Sequence, residues 1–159
     1  MIIVADTSAL IALALCEQLV LIEAVFGSVF VPPAVYAEAT QNNKVFAKEL
    51  TDYLQDKILP IQQERLEHLK KIIDPGEWEA MVLYQQINAD LLLVDDKKAR
   101  KVAVSNQFQI IGSLGVLLRA KEMGFISEVR PFILKLQDSQ LFLSDRVLEQ
   151  VLKLAGETL

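Results

Sequence analysis

Short, wholly apolar runs alternate along this chain with longer stretches in which apolar residues recur at helical spacing. An apolar run rich in β-branched residues predicts a strand buried on both faces, and the longer stretches predict helices. Strands are predicted at residues 2–5, 29–31, 91–94 and 108–111, and an edge strand, which tolerates a proline, at 58–61. The last two main runs bracket one helix, which is the arrangement of a parallel βαβ unit.

Helical stretches fill the segments between and after the predicted strands. They span about residues 7–16, 17–26, 45–54, 62–73, 74–88, 97–105, 114–123, 128–137 and 145–155, and a further helix opens at the prolines 32–33. Helices that alternate with parallel strands cover both faces of a sheet, so we expect an α/β fold. No repeat or linker divides the chain, which predicts a single domain over 1–159 with C-terminal helices from about residue 128. The apolar faces of those last helices either cover the core or form a homodimer.

Composition and charge exclude several kinds of site. The chain has one cysteine and one histidine, which excludes an internal disulfide and a zinc site built on these residues. Metal chemistry would therefore rest on carboxylates, which suit Mg²⁺ or Mn²⁺. The net charge of −5 argues against a general nucleic-acid binder, although a local basic strip can coexist with it. The unpaired cysteine, with no signal peptide and no apolar run of about 18–20 residues, predicts a cytoplasmic protein without a membrane partner.

Acidic residues follow the predicted strands or begin the helices beside them. In an open parallel sheet, ligands bind beyond the carboxyl ends of the strands, where the topology gathers residues from distant parts of the chain. Carboxylates that face one another repel, and a divalent cation relieves that repulsion, activates a water and neutralises a phosphoryl group. The acids concerned are Asp6, Glu38, Glu77, Glu79, Asp95 and Asp96.

Each of these residues also has a purely structural interpretation. Helix caps also account for the residues that stand at helix starts, which are Asp6, Asp96, Ser113 and a capping box of Asp74 with Glu77. Glu79 alternatively interacts only with a helix dipole, Glu38 lies on an exposed helix face, and Asp95 is a solvated turn residue. The functional interpretation is favoured because acids occur at three separate strand–helix junctions.

Five segments resemble, in order and at similar spacing, the motifs of PIN-domain proteins. They are residues 3–8 (IVADTS), 35–38 (VYAE), 76–80 (GEWEA), 92–100 (LLVDDKKAR) and 111–115 (IGSLG). The first resembles the opening hydrophobic-D-[ST]-[SA] signature of the family. The third and fourth resemble a VapC-like branch with G-E-x-E-A and D-D-x-x-A-R motifs. The ordered set covers nearly the whole chain.

The resemblance implies a three-layer α/β/α sandwich with a parallel sheet of four or five strands. It also implies a Mg²⁺- or Mn²⁺-dependent endoribonuclease that acts on RNA, often as the toxin of a pair whose other member is an antitoxin protein. The positions that match the catalytic, metal-binding acids are Asp6, Glu38, Glu77 and Asp96, with Asp95 and Glu79 as alternatives. The candidate substrate contacts are Thr7, Ser8, Lys97, Arg100 and Ser113. The basic ones belong to a run at 97–101 that is alternatively a solvated helix face.

The sequence departs from the family pattern at two positions. Glu77 stands where many PIN domains have an aspartate, and Val94 stands where a threonine is usual. The alternative function is therefore a PIN-fold module that binds nucleic acid or regulates, with weak or no catalysis. The T-x-D spacing of the family, laid on residues 94–96, favours Asp96 over Asp95. A phosphohydrolase with D-x-D and a Rossmann nucleotide binder with G-x-G-x-x-G are disfavoured, because neither motif follows the first strand.

Overall fold

The computed structural model describes residues 1–139, 141 and 143–158, and a parallel sheet of four strands lies at the centre of this part. The strands are β1 (Ile2–Ala5), β2 (Ser28–Phe30), β3 (Leu91–Leu93) and β4 (Ile110–Ile111). Their order across the sheet is β2-β1-β3-β4, and Val4 of β1 pairs with Phe30 on one side and Leu92 on the other. The predicted α/β fold with a parallel sheet is confirmed, with four strands rather than five in the described residues.

Nine α-helices lie in the described part of the chain. They are α1 (Thr7–Leu15), α2 (Val20–Phe26), α3 (Pro33–Ala39), α4 (Ala47–Leu54), α5 (Pro75–Gln86), α6 (Lys97–Ser105), α7 (Ser113–Glu122), α8 (Arg130–Gln137) and α9 (Asp145–Leu154). The bounds of α6 are those predicted, because an aspartate caps its start and its apolar face is clear.

Helices cover both faces of the sheet, which explains why β1, β3 and β4 are wholly apolar. Ile3, Val4 and Ala5 of β1 have no exposed surface. The connection from β1 to β2 through α1 and α2 runs toward one edge of the sheet, and that from β3 to β4 through α6 runs toward the other. Because crossovers between parallel strands are right-handed, these two sets of helices lie on opposite faces. Accordingly, α1 and α2 pack with α7, whereas α5 packs on β1 and β3, which gives an α/β/α sandwich.

A sharp bend separates α1 from α2. Glu17 has a left-handed backbone, with φ of 56°, so the second helix begins at Val20 rather than at the predicted residue 17. The two helices together have the length and composition of a membrane span, but they meet at 110°. No single helix among the described residues is long and apolar enough to cross a membrane. Leu10, Leu13 and Ile22 from this pair are wholly buried in the core.

The predicted helix over residues 62–73 is wrong, because the structure forms only a 3₁₀ turn there, at Glu67–Leu69. The indole nitrogen of Trp78 donates hydrogen bonds to the carbonyl oxygens of Arg65 and Leu66, at 3.0 and 3.1 Å. These carbonyl oxygens would otherwise accept hydrogen bonds within a helix. Leu66 also has a left-handed backbone, with φ of 55°, which interrupts a right-handed helix. Contacts from α5 therefore override the local helical pattern.

The predicted edge strand at 58–61 is reduced to a single bridge between Ile58 and Val31. The amide of Leu59 donates to the carbonyl oxygen of Val31 at 2.9 Å. Pro60, which follows, has no N–H group to continue the pairing. This segment therefore extends the sheet beside β2 by one residue only.

The C-terminal helices pack on the core of their own chain. Three apolar side chains of α9 are buried, namely Leu148, Val151 and Leu152. Ser144 caps this helix by accepting a hydrogen bond from the amide of Val147. Beyond the helix, the Glu157 carboxylate pairs with the ammonium of Lys121 in α7 at 2.6 Å. These contacts hold α9 beside α7 and α8.

Candidate functional site

The candidate site lies where the strand order of the sheet reverses. The chain leaves β1 toward β2 and leaves β3 toward β4, in opposite directions, so a crevice opens between the carboxyl ends of β1 and β3. Asp6 follows β1, and Asp95 and Asp96 follow β3 after one residue. The amide of Asp6 donates to the carbonyl oxygen of Leu93 at 2.8 Å, which holds the two strand ends together. Ligands of open α/β sheets bind at this kind of position.

Asp6 is almost completely buried, with 4% of its surface exposed. Its Oδ2 accepts a hydrogen bond from the Ser8 hydroxyl at 3.0 Å, whereas its buried Oδ1 has no partner among the described residues. It occupies the N-cap position of α1 without a capping hydrogen bond from its side chain. Burial raises the pKa of Asp6 to about 6, and the negative charge of Glu38 adds to the rise. An unpaired buried carboxylate oxygen is costly, and it is available to a ligand.

The Ser8 hydroxyl links the first strand end to the third. It donates to Asp6 and accepts from the amides of Asp95 and Asp96, at 3.1 and 3.2 Å. It therefore orients the Asp6 carboxylate and fixes the turn between β3 and α6. Thr7, the predicted substrate contact beside Ser8, is buried, and its hydroxyl has no hydrogen-bond partner among the described residues.

Glu38 reaches the site from α3 because a glycine gives it room. A Cβ atom at Gly76 would lie 2.9 Å from Oε2 of Glu38, so only glycine permits this approach at the start of α5. Glu38 is half-buried rather than on an exposed helix face. Glu79 of α5 accepts a hydrogen bond from the amide of Ala34 in the first turn of α3, at 2.9 Å. Glu79 therefore holds α3 against α5.

Glu77 is both a helix cap and a member of the acidic group. Its Oε2 accepts a hydrogen bond from the amide of Asp74 at 3.0 Å, which completes the predicted capping box of α5. Burial raises the pKa of Glu77 to about 7. The negative charges of Asp6 and Asp96 add to the rise, so Glu77 lies within electrostatic reach of both.

Asp95 and Asp96 point to different surroundings. Both oxygens of Asp95 accept hydrogen bonds from Ser113, one from its amide at 2.7 Å and one from its hydroxyl at 2.5 Å. Burial raises the pKa of Asp95, against these hydrogen bonds and the positive charge of Arg100. The side chain of Asp95 is therefore tied to the start of α7 and is not a solvated turn residue. Asp96 is exposed, and its Oδ1 accepts from the amide of Ala99 at 2.8 Å as the N-cap of α6.

The surroundings of Asp95 also engage two predicted substrate contacts. Ser113 is buried as the first residue of α7, and Gly112 rather than Ser113 holds the N-cap position. The guanidinium of Arg100 donates to the carbonyl oxygen of Val94 at 2.8 Å. A Cβ at Gly112 would lie 2.8 Å from Oδ1 of Asp95 and 2.9 Å from Nη1 of Arg100. The hydrogen-bond donors of Ser113 and Arg100 therefore face the protein. Lys97, in contrast, is exposed to solvent.

The donor chemistry of this crevice suits a hard divalent cation. Carboxylate oxygens are the ligands that Mg²⁺ and Mn²⁺ prefer, and the buried Oδ1 of Asp6 has unused lone pairs. Among the residues that the structure describes, no three acidic, histidine or cysteine side chains already form a metal-binding cluster.

The stability of the metal-free protein should fall as the pH rises from 5 to 8. The folded chain holds protons on Asp6 and Glu77 up to about pH 6 and 7, above the usual 3.8 and 4.5, so stability present at low pH is lost through this window. One pKa unit corresponds to about 1.4 kcal/mol, and the window covers about one unit for Asp6 and about two for Glu77, so we expect a loss of at most about 4 kcal/mol. Urea unfolding in EDTA measures it. Asp6→Asn should weaken the dependence, since only Glu77 then titrates in this window, and a wild-type stability that rises with pH would contradict this account.

The family of the chain follows from comparison with family models. A model of the family DUF3368, described as a PIN domain, matches residues 2–157. The chain belongs to the PIN-domain family. No curated protein and no solved structure matches it. PIN domains are generally nucleases that act on nucleic acid and typically use divalent metals, so the fold of this PIN domain is of a nuclease type.

This PIN domain divides the six predicted metal ligands into two groups. At the crevice, the charge of Glu38 acts on Asp6, and those of Asp6 and Asp96 act on Glu77. Asp95 instead accepts a hydrogen bond from the first turn of α7, and Glu79 accepts one from the first turn of α3.

Gly76 of the motif GEWEA and Gly112 of the motif IGSLG give Glu38 and Asp95 room, a role that the spacing of the acids alone does not reveal. Gly76 directly precedes Glu77, and Gly112 directly precedes Ser113, which donates a hydrogen bond to Asp95. This adjacency to a residue of the site is the sequence signal that could have identified both glycines.

Proposed function

We propose that this PIN domain is a metal-dependent endoribonuclease that hydrolyses phosphodiester bonds of RNA at the crevice between β1 and β3. The observation that carries the proposal is the buried Asp6 carboxylate with an unpartnered Oδ1 at the point where the strand order reverses. Hydrolysis adds a water oxygen to phosphorus and breaks a P–O bond, and the water supplies the proton that the departing oxygen takes up. Negative charge develops on the phosphoryl oxygens during this step.

Four carboxylates would hold one or two Mg²⁺ or Mn²⁺ ions, namely Asp6, Glu38, Glu77 and Asp96. Such an ion would lower the pKa of a bound water and would neutralise phosphoryl charge. Ser8 keeps the Asp6 carboxylate oriented through its hydrogen bond. The capping box and the Asp96 cap fix the helix starts that carry two of the ligands. Asp95 acts as a positioning residue, because its bonds to Ser113 hold the turn after β3.

A second candidate function is a binding or regulatory PIN module without turnover. The lack of a preassembled metal cluster in the described residues and the Val94 side chain in place of a threonine favour it. Incubation of unstructured RNA with and without Mn²⁺ distinguishes the two functions. Cleavage fragments that form only with Mn²⁺ support the nuclease, and binding without fragments supports the regulatory module.

Glu77→Gln should abolish cleavage while leaving the fold intact. Glutamine also serves at the third position of a capping box, so the loss in unfolding free energy should stay below about 0.5 kcal/mol. A neutral amide is a poor ligand for a divalent cation, so cleavage should fall by at least about 100-fold. Thermal unfolding and RNA cleavage measure the two effects. An active Glu77→Gln variant would assign Glu77 to helix capping alone.

The motif resemblance also supports a role as the toxin of a toxin–antitoxin pair. The RNA cleavage proposed above is the activity that such a toxin requires, and the partner would be an antitoxin protein. A short gene for a DNA-binding protein next to the gene of this chain would support this role.

A further inference from the structure

The turn at residues 94–96, which carries both aspartates after β3, leaves the strand pairing of the sheet. The amide of Val94 donates to the carbonyl oxygen of Ile111 at 2.9 Å, and β4 ends there. In a continued parallel ladder, the amide of Ser113 would donate to the carbonyl oxygen of Val94. That amide donates to Asp95 instead. Val94 is buried, so its carbonyl oxygen needs a partner from outside the sheet.

Arg100 supplies this partner and holds the turn at both ends. Its Nη1 donates to the carbonyl oxygen of Val94 at 2.8 Å. Its backbone amide donates to the carbonyl oxygen of Asp96 at 2.9 Å, as the first residues of α6 turn into the helix. The guanidinium group is planar and always charged, so it can donate to this carbonyl at any pH at which the protein is folded.

Gly112 leaves the space that the guanidinium occupies. A Cβ atom at this position would lie 2.9 Å from Nη1 of Arg100 and 2.8 Å from Oδ1 of Asp95. The nearest backbone atom, the carbonyl oxygen of Val94, would be 3.7 Å away, which is ordinary contact. An alanine at position 112 would therefore displace two side-chain ends and leave the backbone in place.

The conformation of the turn decides where the Asp96 carboxylate lies. Ser8 accepts hydrogen bonds from the amides of Asp95 and Asp96, and Arg100 donates to the carbonyl oxygens on either side of them. The charge of Asp96 acts on Glu77 across the crevice. A change in the turn would therefore move Asp96 relative to Glu77.

We infer that Arg100 is a positioning residue of the proposed metal site, which holds the turn at 94–96 so that Asp96 stays beside Glu77. The inference rests on the metal-dependent nuclease proposed above, and it replaces the predicted role of Arg100 as a substrate contact. A substrate contact acts on RNA binding, whereas a positioning residue acts on the ion before RNA is present. Groups that orient metal ligands typically contribute about 10–100-fold to metal affinity.

Arg100→Gln separates these roles, because charge and position act in opposite directions on metal binding. Glutamine is shorter than arginine and uncharged. Loss of a cation near the crevice would by itself strengthen Mn²⁺ binding. We instead expect calorimetry without RNA to show Mn²⁺ affinity at least about tenfold lower than in wild type. Lys98→Gln is the matched control, since it removes an exposed cation of the same helix, and it should leave Mn²⁺ affinity unchanged or slightly higher.

Hydrogen exchange in the metal-free protein tests the same role without the ion. The amides of Asp95 and Asp96 should exchange at least about tenfold faster in Arg100→Gln than in wild type, because the turn opens more often. They should exchange at the wild-type rate in Lys98→Gln. Gly112→Ala displaces the guanidinium without removing a charge, so it should lower Mn²⁺ affinity and speed exchange even if Arg100→Gln does not fold.

The contrary outcomes distinguish this inference from the proposed function. Wild-type Mn²⁺ affinity in Arg100→Gln, or unchanged amide exchange, would overturn the role of Arg100 and leave the nuclease standing. Weaker binding of single-stranded RNA in EDTA, with normal Mn²⁺ affinity, would overturn it in favour of a substrate contact. No Mn²⁺ binding by wild type would contradict the metal-dependent nuclease itself, and amide exchange in the metal-free proteins would then show whether Arg100 holds the turn.

Discussion

Asp6→Asn is expected to lower Mn²⁺-dependent RNA cleavage by at least about 1,000-fold, which corresponds to about 4 kcal/mol of transition-state stabilisation. The fold should persist, because the asparagine carbonyl still accepts the hydrogen bond from Ser8. Without metal, the variant should melt at a higher temperature than wild type. The reason is that a neutral side chain removes the buried charge and its repulsion with Glu38.

Metal-induced stabilisation supplies the second readout for this variant. An ion that binds only the folded protein raises the melting temperature by mass action, so millimolar Mn²⁺ should stabilise wild type and have little effect on Asp6→Asn. Asp52→Asn is the matched control, because Asp52 is an exposed aspartate on α4. That control should keep both cleavage and the Mn²⁺ shift. No Mn²⁺ shift in wild type would argue against a metal site at Asp6.

Of the two aspartates after β3, we expect Asp95 to be structural and Asp96 to be catalytic. Asp95→Ala should destabilise the fold by about 2–3 kcal/mol, because the amide and hydroxyl of Ser113 lose a charged acceptor. Asp95→Asn should be stable and active, since its carbonyl accepts from the Ser113 amide and the Ser113 hydroxyl can rotate to accept from its NH₂ group. Urea unfolding and RNA cleavage measure these effects.

Asp96→Asn should give the opposite result to Asp95→Asn. Asparagine caps helices as well as aspartate does, so α6 should keep its stability. Cleavage and Mn²⁺ affinity, measured by calorimetry, should both fall at least about 100-fold if Asp96 binds the ion. An inactive Asp95→Asn with an active Asp96→Asn would show that the assignment is wrong by one residue. Loss of activity in both would mean that the two carboxylates act together.

The fold was predictable where local pattern and tertiary structure agree. The apolar run of β1 and the capped, amphipathic α6 have their predicted bounds. The segment at 62–73 was not predictable, because its backbone acceptors bond to the indole of Trp78 rather than within a helix. β4 starts two residues later than predicted, at Ile110. Just before this strand, the ring of Phe108 packs edge-on against the ring of Tyr84, with 4.7 Å between the two ring centroids.

The positions of the candidate acids were predictable, but their contacts were not. Asp6 and Asp96 follow parallel strands, so both lie at the carboxyl edge of the sheet independently of how the helices pack. Whether Asp95 or Asp96 turns inward depends on where α7 begins, since Ser113 at its first position supplies both donors to Asp95. That packing of β3 against β4 and α7 is a long-range property that local spacing does not encode.

The most direct test of the metal-dependent nuclease centre is the anomalous scattering of Mn²⁺ in crystals of the wild-type protein. The account predicts a peak about 2.0–2.3 Å from Oδ1 of Asp6, with oxygens of Glu77 or Asp96 also within coordination distance. The peak should disappear in Asp6→Asn crystals grown with the same metal concentration. A protein that cleaves RNA with Mn²⁺ but shows no peak beside Asp6, or shows it only at another site, would contradict the account.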